Sequence, residues 1–147
     1  MVWGMLTSSG PGPLYRVRGS MNAEQYSHVI KNIMSPSARN LFGNNYIFQQ
    51  DNAPCHKAKS VMELFKKEEI NVLHWPAQSP DLSPIENIWR EVGIGLQNHH
   101  PSNLDELYDA IKNVWYSIKP EKFEKLVLSF PQRLRACYAA HGGHTKY

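Results

Sequence analysis

The stretch that decides the fold is Tyr46-Ile47-Phe48-Gln49-Gln50-Asp51-Asn52-Ala53-Pro54-Cys55-His56. Its first five residues form a short, largely apolar run that favours a β-strand, and a cluster of turn-forming residues follows. Asp51 stands at the junction between the two. Ligands of an open α/β sheet gather outside the carboxyl ends of its strands, so an acid here is well placed to bind a metal ion. An Asp or Asn before a proline also commonly caps a turn, and the local pattern leaves both interpretations open.

A second carboxylate, Glu86, lies in the string Ser83-Pro84-Ile85-Glu86. This is the pattern of a capping box, in which Ser83 is the N-cap, Pro84 is the first helical residue and Glu86 reaches back to the cap. On the helix that follows, Glu86 lies about 100° from Ile85, at the border of the predicted apolar stripe. A carboxylate there is able to serve the cap or to face a crevice, and the residues alone do not decide between these roles.

Short strands and amphipathic helices surround the two acids. We predict strands over residues 2–6 and 14–17, with a turn-rich hairpin connection over residues 8–13. Further strands are predicted over residues 46–50 and 70–75, and a proline-punctuated loop follows from Pro76 to Pro84. The order of elements is that of an α/β domain in which a hairpin joins a partly parallel sheet.

Apolar residues at helical spacing predict the helices. In the first helix, Asn22 is the expected N-cap, and Gln25 is the side chain expected to reach back to it. The last third of the chain is helical, and Pro131 is expected to end or kink its final helix. The predicted apolar stripes consist of Ala23, Tyr26, Ile30, Ile33, Met34, Ala58, Val61, Met62, Phe65, Ile85, Ile88, Trp89, Val92, Leu104, Leu107, Tyr108, Ile111, Val114, Trp115, Ile118, Phe123, Leu126, Val127 and Phe130.

Composition narrows the class of protein. A chain of 147 residues with 41% hydrophobic residues is long enough for one domain with a real core. A net charge of +3 suits a polyanionic partner but is weak evidence for one. Two cysteines without a C-x-x-C spacing argue against a disulfide framework and for a reduced, intracellular protein. No apolar run approaches the roughly 20 residues of a membrane span, and we expect no membrane partner.

The remaining residues argue against several kinds of site. None of the seven histidines falls in a zinc-ligand spacing on a predicted helix, and the segment His141-Gly142-Gly143-His144 is most simply a frayed tail. No glycine-rich phosphate loop follows a strand, and no G-x-S-x-G motif is present. Asp51 and Glu86 are therefore the leading candidates for site residues.

Three separated strings resemble the catalytic domain of the Tc/mariner family of DDE transposases. They are Gln49-Gln50-Asp51-Asn52-Ala53-Pro54-Cys55-His56, Trp75-Pro76-Ala77-Gln78-Ser79-Pro80-Asp81-Leu82-Ser83-Pro84-Ile85-Glu86-Asn87-Ile88-Trp89 and Gly142-Gly143-His144-Thr145-Lys146-Tyr147. The strings Val2-Trp3-Gly4 and Gly12-Pro13-Leu14 fit the same family, so the resemblance spans nearly the whole chain. The 34 residues between Asp51 and Glu86 are typical of the separation between the family's second Asp and its Glu.

The resemblance implies an RNase H-like fold, in which a mixed sheet is flanked by helices, and a single partial catalytic domain over residues 1–147. It also implies a triad of two Asp and one Glu that holds two Mg²⁺ or Mn²⁺ ions for in-line phosphoryl transfer on DNA. Asp51 then corresponds to the second acid and Glu86 to the third, both as catalytic residues and as metal ligands. Asp81 is expected to be a turn or capping residue instead.

The chain departs from the family pattern at its beginning. The family's first Asp and its first, central strand are expected before Val2, and the only acid before Asp51 is Glu24, on a predicted helix. We therefore expect only two of the three carboxylates, weak or no metal binding by this chain alone, and no DNA cleavage or strand transfer by it. Without the central strand, strand edges are exposed, so we also expect marginal stability or self-association.

Expected partners follow from the same resemblance. The family's N-terminal helix-turn-helix module is absent from residues 1–147, and residues 92–97 are neutral where relatives tend to be basic, so specific binding to transposon ends is not expected. Weak, sequence-independent DNA binding, a second copy of the chain or a full-length transposase are the expected partners, and the nucleus is the expected location. The alternative function is a non-catalytic module that binds DNA or pairs with a transposase. The basic candidates, which a solvated surface explains equally well, are Arg16, Arg18, Lys57, Lys59, Arg133 and Arg135.

Overall fold

A computed structural model gives the structure of the chain, and it describes residues 1–76 and 79–147. Ala77 and Gln78, in the predicted loop from Pro76 to Pro84, lie outside the described residues. The chain divides into two compact units. Unit 1 comprises Met1–Gly4 and Tyr15–Gln78, and unit 2 comprises Met5–Leu14 and Ser79–Tyr147. The single domain predicted from the sequence stays a prediction.

An N-terminal hairpin has residues in both units. Strands β1 (Val2–Thr7) and β2 (Gly10–Arg16) pair across a turn at Ser8 and Ser9. The predicted hairpin is present, but the predicted connection over residues 8–13 is too long, because its last four residues belong to β2. Prolines are tolerated on edge strands, which is why a proline-rich stretch fits there. The turn is closed by Thr7, whose Oγ1 donates to the Gly10 carbonyl over 2.8 Å and accepts the Ser9 N–H over 3.2 Å.

In unit 1, the two predicted internal strands shrink to one parallel bridge between Phe48 and Val72. The Phe48 N–H donates to the Asn71 carbonyl and the Phe48 carbonyl accepts the Leu73 N–H, both over 2.8 Å. The parallel direction agrees with the prediction, whereas the strand lengths of residues 46–50 and 70–75 do not. Within the described part of the chain these two runs pair only with each other, so the ladder is short.

Three α-helices form the rest of unit 1. They are α1 (Ala23–Val29), α2 (Ser35–Phe42) and α3 (Lys59–Lys67). A π-helical segment, Ile30–Met34, joins α1 to α2, and a 3₁₀ turn, Pro54–Lys57, precedes α3. In the π-helical segment the chain is underwound: the Ser35 N–H donates to the carbonyl of Ile30, five residues back. The buried residues of these helices include Tyr26, Val29, Ile30, Met34, Ala38, Val61 and Phe65.

The predicted cap of α1 is half right. Asn22 Oδ1 accepts the Gln25 N–H over 2.8 Å, so Asn22 is the N-cap, as predicted. The Gln25 side chain donates instead to the Arg18 carbonyl over 2.9 Å, so the predicted return bond of a capping box is wrong. The Gln25 side-chain amide reaches this acceptor because the turn before the helix places the Arg18 carbonyl close to it.

In unit 2, four helices enclose an apolar core. They are α4 (Pro84–Gly95), α5 (Leu104–Ser117), α6 (Pro120–Leu128) and α7 (Phe130–Ala139), and a 3₁₀ turn, Pro80–Leu82, precedes α4. The fully buried core residues are Ile88, Val92, Trp115 and Phe123. None of the helices in the described residues is long and apolar enough to cross a membrane.

Trp115 is the centre of this core. Its ring packs 5.0 Å from that of Trp89 and 5.8 Å from that of Phe123, measured between centroids. Its Nε1–H donates to the Gly12 carbonyl of β2 over 3.0 Å, which satisfies the one polar group that this fully buried side chain carries. The hairpin residues of unit 2 are thereby fastened to α5.

Two predictions for the C-terminal part are wrong. Pro131 lies in the first turn of α7, where its missing N–H costs nothing, and α6 has already ended at Leu128. The tail after α7 is not frayed. The His141 N–H donates to the Tyr138 carbonyl and the Gly142 N–H to the Cys137 carbonyl, both over 3.0 Å, which is the hydrogen-bond pattern of a Schellman motif.

Candidate functional site

Asp51 lies in unit 1, at the start of the turn that follows Phe48. Its Oδ1 accepts the Ala53 N–H over 3.0 Å, so Asp51 caps this turn, as one of the two interpretations of the sequence predicted. The same oxygen lies 2.6 Å from Nδ1 of His56, within ion-pair distance although the ring N–H is not aligned on it. The side chain is nevertheless 70% exposed, so these contacts fix its direction and leave the carboxylate accessible.

The ends of the two paired runs meet beside Asp51. Since Phe48 and Val72 pair in parallel, Asn52 and Trp75 both lie beyond the carboxyl ends of their runs. The Asn52 side-chain amide donates to the Trp75 carbonyl over 2.6 Å and ties the two ends together. Asp51 thus lies at the edge where ligands of parallel sheets gather.

An aromatic stack supports His56. Its ring lies 3.8 Å from that of Tyr26, with an angle of 25° between the planes. The buried Tyr26 hydroxyl donates to the Gln50 side-chain oxygen. Burial raises the pKa of Tyr26 well above its usual range, and the negative charge of Asp51, followed by Cys55, acts in the same direction. The tyrosine is therefore a neutral hydrogen-bond donor behind the carboxylate.

Glu86 lies in unit 2, on the exposed face of the first turn of α4. Ser83 is the N-cap residue and Pro84 the first helical residue, as predicted, but the Ser83 side chain makes no capping hydrogen bond. The helix position is set instead by Ile88 and Val92, which are buried in the core. An open pocket of about 290 Å³ lies beside the carboxylate and is lined by Pro80, Asp81, Glu86, Asn87, Arg90, His144, Thr145 and Tyr147.

Asp81 occupies the 3₁₀ turn Pro80–Leu82, in line with its expected role as a turn residue. Its carboxylate Oδ2 accepts the Thr145 hydroxyl over 2.8 Å. Its backbone carbonyl accepts a guanidinium N–H of Arg133 over 2.8 Å. Both contacts are structural, and they connect this turn to the C-terminal part of the chain.

Asp51 and Glu86 have the donor chemistry of divalent-metal ligands. Exposed carboxylates are the hard oxygen ligands that Mg²⁺ and Mn²⁺ bind. Within residues 1–76 and 79–147, however, no group of three or more His, Cys, Asp or Glu side chains is arranged to hold a metal ion. Asp51 belongs to unit 1 and Glu86 to unit 2. Their assignment as catalytic metal ligands stays a prediction.

One basic candidate for DNA contact is wrong. Arg133 is only 1% exposed, and its guanidinium donates to Ser129, Asp81 and Asn87. Among the other candidates, Arg18, Lys57 and Lys59 in unit 1 and Arg135 in unit 2 are exposed. The burial of Arg133 was not predicted, because its neighbours in the sequence do not distinguish a buried arginine from an exposed one.

The comparisons with known proteins agree with this architecture. Residues 1–108 match the family model described as a DDE superfamily endonuclease. The Tc1 transposase of Caenorhabditis elegans is 39% identical and the Tcb1 transposase of Caenorhabditis briggsae 38% identical, each over all 147 residues. The chain covers 54% of either relative, so it spans about half of their length.

Solved structures of the Mos1 transposase, a mariner protein of Drosophila mauritiana, share the fold. A structure of the Mos1 catalytic domain with Raltegravir and Mg matches with a TM-score of 0.90 at 20% identity, over 99% of this chain and 76% of that one. A Mos1 paired-end complex with the left transposon end matches with a TM-score of 0.89 at 22% identity, over 99% of this chain and 44% of that one.

These matches confirm the predicted RNase H-like fold. Within that class of fold, the chain belongs to the Tc/mariner family of DDE transposases and corresponds to their catalytic domain, as its motifs predicted.

Proposed function

We propose that the chain supplies two carboxylates, Asp51 and Glu86, to a divalent-metal site that cuts and joins DNA during transposition in the nucleus. The observation that carries the proposal is that both acids are exposed at the positions of the family motif, Asp51 held within its own turn and Glu86 carried by a helix that is anchored in the core. The DDE family match and the Mos1 structures with Mg and with a transposon end support this chemistry.

The chain's own residues contribute orientation. Ala53 and His56 hold one oxygen of Asp51 and so fix the direction of the other. Glu86 lies on a helix that is anchored in the core, so the backbone of this helix needs little rearrangement when a ligand binds. When bound, Mg²⁺ or Mn²⁺ ions supply activation of the attacking hydroxyl or water and stabilisation of the leaving oxygen.

The decisive experiment tests the chain as part of a longer protein. The chain is joined to the upstream segment of the longer Tc1 relative, and Mn²⁺-dependent nicking of a terminal-repeat DNA is measured. We expect Asp51→Asn and Glu86→Gln each to lower the rate by at least about 100-fold, since each removes a charged ligand from the proposed metal site. Glu124→Gln makes the same chemical change on the exposed face of α6 and should leave the rate unchanged. Full activity of either site variant rejects the proposal.

The chain alone is expected to be inactive, because two carboxylates do not hold both metal ions. Purified chain is incubated with Mn²⁺ and the same DNA. Nicking that requires the metal and disappears in Asp51→Ala would contradict this expectation.

A non-catalytic DNA-binding role is the second candidate, favoured by the exposed Lys57 and Lys59 next to the turn that carries Asp51. Binding to phosphates alone predicts an affinity that falls steeply with salt and does not depend on sequence. Fluorescence anisotropy should then show that Lys57→Ala/Lys59→Ala reduces the salt slope by about 1–2, whereas Asp51→Asn leaves binding intact. Sedimentation of the same samples measures whether a second copy associates, which also stays a prediction.

A further inference from the structure

A buried arginine joins three segments of unit 2. Arg133 Nε donates to the Ser129 hydroxyl over 2.9 Å, one terminal nitrogen to the Asp81 carbonyl over 2.8 Å and the other to Asn87 Oδ1 over 2.6 Å. Burial lowers the pKa of Arg133, while Tyr147 and Asp81 act in the opposite direction, and an arginine stays charged under both influences. A buried charge is tolerated only when its N–H donors have hydrogen-bond acceptors. Here Asp81 and Asn87, which lie before and after Ser83, supply two of the acceptors.

The C-terminal tail completes this arrangement. The Thr145 hydroxyl donates to Asp81 Oδ2 over 2.8 Å and accepts the Tyr147 N–H over 3.4 Å. The Tyr147 ring lies 4.7 Å from the Arg133 guanidinium carbon and covers it. The tail therefore holds the turn from one side while Arg133 holds it from the other.

The contacts converge on the backbone that presents Glu86. Asp81 precedes it in the 3₁₀ turn and Asn87 follows it in the first turn of α4. Between them, the Ser83 N–H donates to the Pro80 carbonyl over 2.9 Å and the Glu86 N–H to the Ser83 carbonyl over 3.3 Å. The Ser83 side chain makes no capping bond, so the contacts from Arg133 and Thr145 add to these two backbone bonds in fixing the turn.

We propose that Arg133 and Thr145 are positioning residues for Glu86, and that the terminal residues 144–147 act as a strap that fixes the turn before α4. The role of Glu86 as a metal ligand rests on the proposed function, whereas the anchoring of the turn before α4 does not. Neither residue touches the reacting groups; each acts through Asp81, and Arg133 also through Asn87.

Hydrogen exchange of the purified chain, followed by mass spectrometry, tests the proposal. Thr145→Val keeps the shape of the side chain and loses the hydroxyl, so the amides of residues 80–88 should exchange about five- to tenfold faster. Thr145→Ser restores the hydroxyl and should restore protection. Exchange of α5, which reports the core of unit 2, should be unchanged in both variants. Arg133→Lys keeps the charge but cannot reproduce the fork, and it should give the same local pattern.

Two outcomes would overturn the proposal. One is unchanged exchange over residues 80–88 in both Thr145→Val and a chain that ends at Gly143. The other is a rise that is equally large in α5, which would indicate general destabilisation. The measurement needs no catalysis, so failure of the proposed function, seen as a longer protein that still cuts DNA after Glu86→Gln, is distinguishable from failure here.

Discussion

Asp51 in unit 1 is held by groups two and five residues away, whereas the helix that carries Glu86 in unit 2 is held by groups from distant parts of the chain. Ala53 and His56 lie in the same turn as Asp51. Around Glu86, by contrast, Arg133 reaches Asn87 across 46 positions of sequence. A short motif can therefore encode the direct contacts of Asp51, while the position of Glu86 depends on the fold of the whole unit.

The largest effect should come from the core that holds the Glu86 helix. Trp115→Ala removes a fully buried ring that packs on Trp89 and Phe123, so we expect it to lower the free energy of unfolding by about 3–5 kcal/mol. Urea unfolding followed by circular dichroism measures this. Leu104→Ala, on the same helix but at a position that is 71% exposed, should change it by less than about 0.5 kcal/mol. A loss below about 1 kcal/mol for Trp115→Ala would mean that packing on Trp115 does not hold α4 in position.

Two glycines of α4 sharpen the same point. A Cβ at Gly95 would lie 2.5 Å from Val114 Cγ1, so Gly95→Ala should destabilise the chain by about 1–3 kcal/mol. A Cβ at Gly93 meets nothing within 4 Å, so Gly93→Ala should stabilise it by up to about 1 kcal/mol through helix propensity alone. Thermal melts of the two variants decide the matter, and the same sign for both would show that α4 does not pack against α5 as described.

The support of Asp51 should show a dependence on pH. Since the pKa of Tyr26 is raised in the folded chain, this group contributes its full stability below about pH 10, where an unfolded tyrosine is still protonated. Above that pH the unfolded chain loses the proton and the folded chain keeps it, so stability should fall by up to about 1.4 kcal/mol per pH unit. Urea midpoints at increasing alkaline pH measure the slope.

Tyr26→Phe is the control for that slope. It removes the titrating hydroxyl and its bond to Gln50, so the variant should be about 1 kcal/mol less stable at neutral pH and lack this part of the alkaline loss. An identical slope in both proteins would assign the alkaline loss to other groups.

The smallest effect should come from two of the N-caps of unit 2, Ser83 and Asn103. Ser83→Ala should cost less than about 0.5 kcal/mol, because the Ser83 side chain makes no capping bond. Asn103→Ala should cost about 1 kcal/mol, because Asn103 Oδ1 accepts the N–H groups of Asp105 and Glu106 at the start of α5. If Ser83→Ala costs as much as Asn103→Ala, the cap contributes more to the position of Glu86 than the geometry indicates.

Local patterns predicted the local structure well. The Asn22 cap and the turn at Asp51 follow from contacts between near neighbours, and both are present. In the apolar stripe of α4, Ile88 and Val92 are likewise buried, and Ile85 and Trp89 are partly buried. Positions at helix ends were less predictable: Leu104 fits the stripe of α5 but lies outside its packed part.

The remaining features depend on tertiary structure, which a single sequence does not display. The stretch beginning at Gly10 has the composition of a turn, yet pairing with β1 makes it a strand. The sequence around Arg133 is that of a surface residue, and only the tertiary structure shows that Asp81 and Asn87 supply its acceptors. The family and its fold were predictable because the motif strings are long and specific, whereas the supports of Glu86 were not.

The π-helical segment between α1 and α2 has a consequence for how this region tolerates insertions and deletions. The buried residues Tyr26, Ile30, Met34 and Ala38 recur every four positions, which in a regular α-helix would drift about 40° per step. The wider turn over Ile30–Met34 absorbs part of that drift and keeps all four side chains on one face. Because the wide turn holds one residue more than an α-helical turn, loss of one residue from this segment would leave a regular helix whose second half keeps nearly the same face. The segment is thus a place where this helical region accommodates one residue more or less without turning its buried face to solvent.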